Sequence, residues 1–434
     1  MIKSPEHTSL KIETPMRHID ELNIRISENR KKIESWMKGK IEKEFIPLYS
    51  SVDVRVSNHK LAPVDTNIFP AGFNNLSQSF RDRASGLFRE YFLRKYPKVK
   101  SILIIPELHT RNPFYWENIL VLKSILEKVD CEVEVGIVSE EFDRDHASFQ
   151  SQSGAEVEAY KVKKEDNRIF TSKMSPDLLL INNDFSEKCP KTLKDIVQPV
   201  EPPVEIGWHT RRKSVHFEYY NKLAGEVSEL LGIDPWIITI DTVAVEGIDF
   251  DNPGDRERTA EVADSMLERL RKIYSEKGIP EDPYLFIKSN SGTYGMAVIS
   301  VSDGDEVRRL NAEGRKRMRV SKGGKPVRDI VIQEGIPTSL KLESGASAEP
   351  VFYLVEAEVA GGFLRVNKGK DDRENLNTKG MEFSPMPGEG EAAGGDGRLI
   401  FSPAHGLVSC IASIAAGYEI EAILREGGCK EETP

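Results

Sequence analysis

A short polar loop, Lys288-Ser-Asn-Ser-Gly-Thr-Tyr-Gly-Met296, separates two apolar runs and contains the residue types that bind phosphate. Glycine lets backbone N–H groups approach a polyanion closely, hydroxyls add donors, and a lysine at a strand end supplies a fixed positive charge. The loop therefore suits the phosphates of ATP, although a β-hairpin whose turn requires glycine explains the same string. The candidate nucleotide-binding residues here are Lys288, Ser291, Gly292, Thr293, Tyr294 and Gly295.

Residues further along the chain offer the other groups that an ATP-using enzyme needs. Residues 331–336 predict a buried strand in which Gln333 and Glu334 can contact adenine and ribose. Arg365 can stabilise charge on a transferred phosphoryl group, so we predict that Lys288 and Arg365 are catalytic. Carboxylate and amide oxygens are the ligands that Mg²⁺ prefers, although scattered surface acids look similar one at a time. The candidate metal ligands are Glu356, Glu358, Asn375 and Asn377.

The N-terminal half concentrates polar side chains where substrates can be bound. Residues 58–75 are rich in Pro, Gly and Asn and predict a loop, and loops commonly carry binding residues. A second group follows the apolar run 102–105, at the edge where open α/β sheets bind ligands, and residues 208–213 include three adjacent cations. The candidate substrate-binding residues are Asp53, Arg55, Asp65, Asn67, Asn74, Asn75, Glu107, His109, Arg111 and Arg211. The structural alternatives are Asx-turns for the asparagines, a strand-end cap for Glu107 and a helix start near Arg211.

The composition narrows the class of protein. A chain of 434 residues predicts two or three packed units. Hydrophobic residues at 39% and charged residues at 30%, without an apolar run of about 20 residues or a signal peptide, predict a cytoplasmic protein with no membrane partner. A net charge of -10 disfavours nucleic acid as a partner, and the basic residues 315–319 are interpreted as a solvated face or loop. The four cysteines form no Cys-x-x-Cys pair, so neither a zinc site nor a disulfide scaffold is indicated.

Hydrophobic periodicity predicts the elements that position these groups. Apolar residues at helical spacing predict helices over 16–45, 116–129, 214–231, 255–277 and 406–416. Apolar runs predict strands at 52–56, 102–105, 133–135, 178–181, 236–240, 284–288, 296–301, 330–333, 351–359 and 363–366. The Gly-rich segment 388–397 predicts a flexible loop. Because strands and helices alternate, we predict an α/β (α+β) fold.

The order of the later segments resembles the ATP-grasp fold, in which two β-containing lobes clamp ATP. That order is a Lys-Gly loop, a Gln-Glu linker, an acid-bearing strand, an arginine and Asn-x-Asn. The fold commonly has Glu-x-Asn at the last position, whereas Asn375 here takes the place of the acid and Glu374 is adjacent. The resemblance implies an N-terminal helix and α/β substrate domain over residues 1–245. An ATP-grasp-like two-lobed nucleotide-binding region follows, with a small lobe and Gly-rich lid loop over 246–335 and a C-terminal lobe over 336–434.

Three longer strings resemble one family, the proteobacterial glutamate–cysteine ligases of the ATP-grasp-like type. They are residues 63–76, residues 107–112 and residues 288–296, and the resemblance extends from about residue 53 to about residue 417. It implies that the γ-carboxylate of L-glutamate attacks the γ-phosphorus of ATP in the presence of Mg²⁺. The amine of L-cysteine then displaces phosphate from the acyl phosphate to give γ-glutamylcysteine, the first step of glutathione biosynthesis.

In such an enzyme each amino-acid substrate presents an ammonium group and at least one carboxylate. The site therefore needs acidic side chains to bind the ammonium and basic side chains to bind the carboxylates. Three acids are then expected to hold an ammonium: Asp53, Asp65 and Glu107. Three arginines are expected to hold carboxylates: Arg55, Arg111 and Arg211.

Two other functions fit the same sequence features. Another carboxylate–amine ligase of the ATP-grasp type, such as a peptide or glutathione synthetase, would share the ATP lobe and differ in its substrates. A non-catalytic nucleotide sensor would keep the ATP site without turnover, but it would not need the many polar residues of the N-terminal loop. A homo-oligomer is compatible with the sequence.

Overall fold

The chain folds into a mixture of helices and sheets, which confirms the predicted α/β class. The computed structural model describes residues 10–12, 17–108, 112–186, 188–292, 297–319, 326–386, 392–393, 398–399 and 402–426. Its helices are α1 Arg17–Glu28, α2 Arg30–Ile41, α3 Gln78–Lys95, α4 Pro113–Glu127, α5 Lys213–Leu231, α6 Pro253–Lys277, α7 Gly304–Arg308, α8 Ala312–Arg319 and α9 Pro403–Arg425.

The strands alternate with these helices along most of the chain. In the N-terminal half they are β1 Leu10–Ile12, β2 Tyr49–Val56, β3 Leu61–Asn67, β4 Ser101–Pro106, β5 Glu132–Ile137, β6 His146–Gln150, β7 Glu156–Lys161, β8 Lys163–Glu165, β9 Arg168–Phe170, β10 Leu178–Asn182 and β11 Val200–Glu201. In the C-terminal half they are β12 Thr242–Val245, β13 Leu285–Ser289, β14 Val298–Val301, β15 Ile330–Glu334, β16 Leu340–Leu342, β17 Ser347–Val355, β18 Glu358–Asn367, β19 Met381–Pro385, β20 Ala392–Ala393 and β21 Arg398–Leu399.

The largest sheet joins the two ends of the chain. Its strands run antiparallel in the order β1-β16-β17-β18-β19, and β2 pairs with β17 and carries β3 on its other edge. Residues 340–385 therefore share one sheet with residues 49–67. The register of β2 on β3 shifts between Asp53 and Val54, where Pro63 stands opposite Val54. Proline lacks the N–H that a regular ladder uses, so it is tolerated at this irregularity.

Two further sheets complete the framework. One has the order β11-β10-β4-β5-β7-β6 and is parallel except for β6, and its strands alternate in sequence with α3, α4 and the following loops. The other is antiparallel with the order β12-β15-β13-β14 and has its own hydrophobic core with α6. The predicted boundary near residue 245 falls at the last residue of β12, which pairs with β15 inside this smaller sheet.

Local sequence signals account for several helix ends. Asn112 accepts a hydrogen bond from the backbone N–H of Tyr115 at 3.3 Å, and Pro113 follows as the first residue of α4. Asn252 and Pro253 start α6 in the same way. Helices α5 and α6 end at Gly232 and Gly278, whose φ angles of 64° and 67° lie in the left-handed region that glycine adopts without strain.

Some predicted elements were wrong in type or extent. The strand predicted over 236–240 is a single 3₁₀ turn, because the Asp234 side chain accepts a hydrogen bond from the N–H of Trp236, and the strand starts later, at Thr242. The loop predicted over 58–75 contains β3, which pairs with β2. The helix predicted over 16–45 is broken at Asn29 into α1 and α2. The strand predicted over 351–359 turns at Glu356 and becomes β17 and β18.

Helix α9 crosses the centre of the molecule. It contacts α1 and α5 and the strands β2, β3, β17 and β18. By length and composition α9 could span a membrane, whereas the sequence predicted no membrane span. In the structure, however, 72% of its most apolar 18-residue window is buried inside the fold. The packing of α9 therefore accounts for its apolar sequence as that of a core helix.

One glycine of α9 is required by close packing. A Cβ at Gly417 would lie 2.0 Å from the carbonyl oxygen of Phe45, whereas a Cβ at Gly406 on the same helix would lie 3.9 Å from Val359 Cγ2. We expect Gly417→Ala to lower the free energy of unfolding by about 1–3 kcal/mol because the added carbon overpacks the contact. Gly406→Ala should leave it unchanged or raise it by up to about 1 kcal/mol. Urea denaturation measures both, and equal effects would contradict this account of Gly417.

Candidate functional site

A cavity of about 630 Å³ lies between the largest sheet and the smaller antiparallel sheet. Its walls come from β2 and β3, from the strand pair β17 and β18, from β13, β14 and the loop between them, from the start of α5, and from the loop after β18. The lining residues are Asp53, Arg55, Val64, Asp65, Lys213, Phe286, Lys288, Ser289, Ser291, Gly292, Val298, Glu349, Arg365, Asn375 and Asn377. Four cations and three carboxylates thus face one another in a single cleft.

Strand alternation directs the first two of these charges into the cavity. Side chains of a strand point to opposite faces in turn, so the fully buried valines of β2 face the core while Asp53 and Arg55 face the cleft. Asp53 is the register partner of Asp65 on β3, which places two carboxylates side by side. The sequence predicted both as substrate-binding residues, and the fold brings them together.

Four of the charged side chains form an alternating chain. Arg55 donates to main-chain carbonyl oxygens of the segment 372–374 at 3.0 and 2.8 Å, and its Nε lies 2.6 Å from a carboxylate oxygen of Glu349. The Nη1 of Arg365 donates to Glu349 at 2.7 Å and to Asp53 at 2.6 Å. Asp53 is therefore the end of a chain that Arg55 anchors.

These ion pairs place Glu349 and Asp53 in different electrostatic environments. Burial alone would raise the pKa of Glu349, but Arg55 and Arg365 outweigh burial and hold that pKa below its usual range. Burial raises the pKa of Asp53, and its contact with Arg365 does not offset the rise because Glu349 lies close by. Two acids that share one arginine therefore differ in basicity.

Lys288 lies on the opposite wall, at the start of the predicted phosphate loop. Its Nζ donates to Gln333 Oε1 at 2.6 Å and to the carbonyl oxygen of Val64 at 3.2 Å. Burial lowers the pKa of Lys288 to about 8, and the nearby carboxylate of Asp65 opposes that shift. Gly292 has φ 98°, a conformation that favours glycine. Ser291 and Gly292 line the cavity, whereas Thr293, Tyr294 and Gly295 lie outside the described residues.

Of the three adjacent cations near residue 211, the structure places Lys213 in the cavity. Its ammonium pairs with Asp65 and lies 4.6 Å from the centre of the Trp208 ring. The lysine outweighs the effect of burial and lowers the pKa of Asp65. Arg211, the residue predicted from sequence, is fully buried and bonds to Glu419 of α9 at 2.7 Å instead.

The start of α5 is hydrogen-bonded to the beginning of the predicted phosphate loop. The backbone N–H of Lys213 donates to the carbonyl oxygen of Asn290 at 2.8 Å, and the N–H of Ser214 donates to the Asn290 side chain at 2.9 Å. These bonds hold the Lys213 side of the cleft against the base of the loop.

The side chains of Gln333 and Glu334 have partners within the protein. Gln333 accepts from Lys288 and donates to Thr242 at 3.2 Å. Glu334 pairs with Lys60 at 2.6 Å, and both side chains are fully buried. Neither residue is among the residues that line the described part of the cavity, and their strand, β15, is paired with β12 on one side and β13 on the other.

Several other predicted site residues lie away from the cavity. Asn67 closes a turn by accepting from the N–H of Phe69 at 3.1 Å, and Asn74 and Asn75 lie in a 3₁₀ turn. The backbone N–H of Glu107 donates to Tyr115 Oη at 2.7 Å. The asparagines thus follow the structural alternative. His109 and Arg111 lie outside the described residues.

The two acids predicted as metal ligands are remote from the two amides. Glu356 lies in the turn between β17 and β18 and pairs with Arg94 at 2.6 Å. Glu358 begins β18, and seven residues of strand, about 23 Å, separate it from Arg365 at the cavity end. Asn375 and Asn377 both line the cavity. The fold therefore does not bring these four residues together.

Three polar residues of the cavity were not predicted from the sequence as site residues: Lys213, Ser289 and Glu349. Lys213 belongs to the run of three adjacent cations, but nothing local distinguishes it from Arg211. Glu349 could have been found by pairing β17 with β18 around a turn at Glu356, because it then stands directly opposite Arg365. Opposite charges on paired strands are a recognised cross-strand contact.

The buried pair beneath the cavity gives a stability prediction. Burial would raise the pKa of Glu419, but Arg211 outweighs it and holds the pKa at about 2, below the usual 4.5. The charged carboxylate therefore stabilises the fold above about pH 4.5, and this contribution is lost as the pH falls toward 2. We expect Glu419→Gln to lower the free energy of unfolding at neutral pH by about 3–5 kcal/mol, because Arg211 is left buried without its partner.

Urea denaturation at neutral pH and near pH 3 measures this effect. The difference between the native protein and Glu419→Gln should narrow at the lower pH, while the exposed Glu34→Gln should change little at either pH. A difference that stays constant with pH would contradict the electrostatic origin of the stabilisation.

Comparison with known proteins places the chain in a family. The family model GshA, described as glutamate–cysteine ligase, matches residues 23–420. A solved structure from Methylobacillus flagellatus KT, provisionally named a gamma-glutamylcysteine synthetase, is 33% identical with a TM-score of 0.86, over 96% of this chain and 100% of that chain. A search of curated proteins gave no match.

Two other solved structures are more distant. D-alanyl-alanine synthetase A from Vibrio cholerae is 10% identical with a TM-score of 0.33, over 74% of this chain and 81% of that one. A glutathione synthetase-like effector from Globodera pallida is 9% identical with a TM-score of 0.35, over 85% and 80%. Likenesses at this level support no conclusion about the present chain. The family model and the Methylobacillus structure each cover nearly all of it, and the chain accordingly belongs to the glutamate–cysteine ligase family of enzymes.

Proposed function

We propose that this protein joins the γ-carboxylate of L-glutamate to the amine of L-cysteine at the expense of ATP. The γ-carboxylate attacks the γ-phosphorus and forms an acyl phosphate, and the cysteine amine displaces phosphate to give γ-glutamylcysteine. The observation that carries the proposal is the meeting of Lys288 and Arg365, from two different sheets, across one cavity whose other walls hold paired acids and cations. Family membership supplies the substrates.

The phosphates of ATP would lie against Lys288 and the loop that follows it. The ammonium of Lys288 and the backbone N–H groups of the loop would bind and position the polyphosphate. Arg365 faces them and would stabilise the charge that develops on the phosphoryl group during transfer. The proposed nucleotide-binding residues remain Lys288, Ser291, Gly292, Thr293, Tyr294, Gly295, Gln333 and Glu334. The Oε1 atom of Glu334 has no hydrogen-bond partner in the described part of the chain.

The cavity fits a magnesium ion only in part. Among the residues that the structure describes, no group of three or more His, Cys, Asp and Glu side chains could hold a metal without help. Mg²⁺ commonly keeps several waters and takes one or two protein oxygens together with substrate phosphates. Asn375 and Asn377 would supply such oxygens, whereas Glu356 and Glu358 lie elsewhere. When bound, the ion would neutralise charge on the transferred phosphate.

The charged groups of the amino-acid substrates would replace contacts that the cavity side chains now make with one another. An α-amino acid presents an ammonium beside a carboxylate, and the Asp65–Lys213 pair presents the complementary charges. We propose that this pair receives the α-amino and α-carboxyl groups of glutamate, which directs its side chain toward Arg365 and Lys288. Arg55 and Asp53 remain for the second amino acid.

The test of the reaction is an ADP-release assay with ATP, Mg²⁺ and glutamate, with and without cysteine, combined with mass detection of the product. We expect ADP and γ-glutamylcysteine in equal amounts when both amino acids are present. Release of ADP with other acceptors but not with cysteine would favour another ligase, and absence of turnover with any acceptor would favour a nucleotide sensor.

The acyl phosphate has a separate test. Glutamate that carries oxygen-18 in its γ-carboxylate should transfer one labelled oxygen to the inorganic phosphate for each turnover. Phosphate that contains no label would rule out attack of the carboxylate on ATP.

A further inference from the structure

Two neighbouring carboxylates in the cavity have unequal partners. Asp53 and Asp65 are register partners on β2 and β3 and both line the cleft. Asp65 pairs with the ammonium of Lys213. Asp53 contacts Arg365, whose Nη1 it shares with Glu349 at nearly the same distance. Two acids at one site in different environments are suited to different tasks.

The charges around Asp53 oppose one another. Both arginines of the alternating chain contact Glu349, whereas Asp53 contacts only the one that Glu349 shares, and Asp65 adds a second negative charge from β3. The charged and titratable groups that face Asp53 or lie in the same cleft are Arg365, Glu349, Tyr353, Asp65, Arg55, Lys213 and Lys288. Because burial and the two acids prevail over Arg365, the pKa of Asp53 is raised, while that of Asp65 is lowered.

The position of Asp53 relates it to the reacting atoms. Arg365, assigned above to the phosphoryl group in flight, is hydrogen-bonded to Asp53 at 2.6 and 3.3 Å. With Arg365 on the phosphoryl group, a side chain bonded to Arg365 would lie near the acyl carbon that the acceptor amine attacks. That amine reaches the site as an ammonium and must lose a proton before its nitrogen can act as a nucleophile.

We propose that Asp53 is the general base that deprotonates the acceptor amino acid, whereas Asp65 stays charged and holds the donor. This inference rests on the proposed function. The Asp53 carboxylate takes one proton from the acceptor ammonium. The lone pair of the freed amine then attacks the acyl carbon, and the bond from that carbon to the phosphate oxygen breaks with its electron pair leaving on the phosphate.

The remaining protons balance without a further reagent. The nitrogen of the tetrahedral intermediate loses its second proton to the departing phosphate, which leaves as hydrogen phosphate, and one hydrogen stays on the amide. Asp53 returns its proton to water when the products leave. The step needs only the acyl phosphate and the acceptor, both of which the proposed reaction provides.

An acceptor that needs no base tests the proposal. Hydroxylamine is largely unprotonated at neutral pH and converts an acyl phosphate to a hydroxamate. In Asp53→Asn we expect kcat with cysteine to fall about 100-fold, in line with the contribution of a general base, while glutamate- and ATP-dependent hydroxamate formation keeps most of its rate. Asp65→Asn is the matched control and should lose both reactions, with a raised KM for glutamate.

The pH dependence gives a second readout. In the native protein, kcat/KM for cysteine should fall on the acid side as Asp53 becomes protonated. The hydroxylamine reaction, expressed per concentration of unprotonated hydroxylamine, should lack the limb that belongs to Asp53. Equal loss of both reactions in Asp53→Asn, or undiminished ligation of cysteine, would overturn the role of Asp53. If the native protein forms neither product from glutamate and ATP, the proposed function fails rather than this inference.

Discussion

Replacing Arg365 by lysine is expected to lower kcat about 1000-fold while the protein stays folded, because an arginine that stabilises a transferred phosphoryl group contributes at least that much. The planar guanidinium of Arg365 bonds to Asp53 and Glu349 from one side of the cavity, and it is buried between them. Lysine keeps the positive charge but has no fork of donors that can hold two carboxylates and a phosphate at once. Steady-state kinetics of product formation measures the effect.

The control for Arg365 is Arg309→Lys, at an exposed arginine directly after α7 that pairs with Asp305. It should have native kinetics. Removing the charge altogether, as in Arg365→Met, should in addition lower the free energy of unfolding by about 3–5 kcal/mol, because Asp53 and Glu349 are left buried without their shared cation. A lysine variant with nearly native kcat would contradict the proposed contact with the phosphoryl group.

Replacing Lys288 by methionine should lower kcat/KM for ATP about 100- to 1000-fold, the range for loss of one preorganised donor at a charged reacting group. The ammonium of Lys288, near the end of β13, is held by Gln333 and by the carbonyl oxygen of Val64. Methionine keeps the length and the apolar stem and removes only the charge. Lys368→Met, at an exposed lysine, is the matched control.

The same lysine predicts a pH dependence with a definite sign. Burial lowers the pKa of Lys288 to about 8, so its ammonium is present below that pH and is lost above it. We therefore expect kcat/KM for ATP to fall as the pH rises through about 8, since this parameter reports the free enzyme. At saturating ATP the phosphates favour the charged lysine, so kcat should change less. An alkaline limb that survives unchanged in Lys288→Met would assign it to another group.

The sequence alone determined those features that depend on local pattern. The alternation of apolar and charged residues over 52–56 predicted a strand. Because residues two positions apart in a strand lie on the same face, Asp53 and Arg55 face the same side. The glycine-rich string after Lys288 predicted a phosphate loop, and the structure places Lys288, Ser291 and Gly292 in the cavity. These signals are local because strand geometry and glycine conformations are set by the nearest residues in the chain.

Only the tertiary structure decided which distant residues meet. Asp53 and Arg365 are 312 positions apart, and their contact depends on the pairing of β2 and β18 with β17 on either side. The run of three cations near residue 211 did not indicate which of them reaches the cavity. In the structure Lys213 does so, while Arg211 is buried against Glu419 of α9.

The acids after β17 illustrate the same limit. The chemistry of its carboxylate made Glu358 a candidate metal ligand together with the asparagines of the site. A strand is extended, however, so Glu358 lies at the opposite end of β18 from Arg365. Glu349 is nearer because the chain turns back on itself at Glu356. Local pattern therefore determined the kinds of groups that this protein brings to its site, and strand register and helix packing, which depend on the whole chain, decided which of them share the cavity.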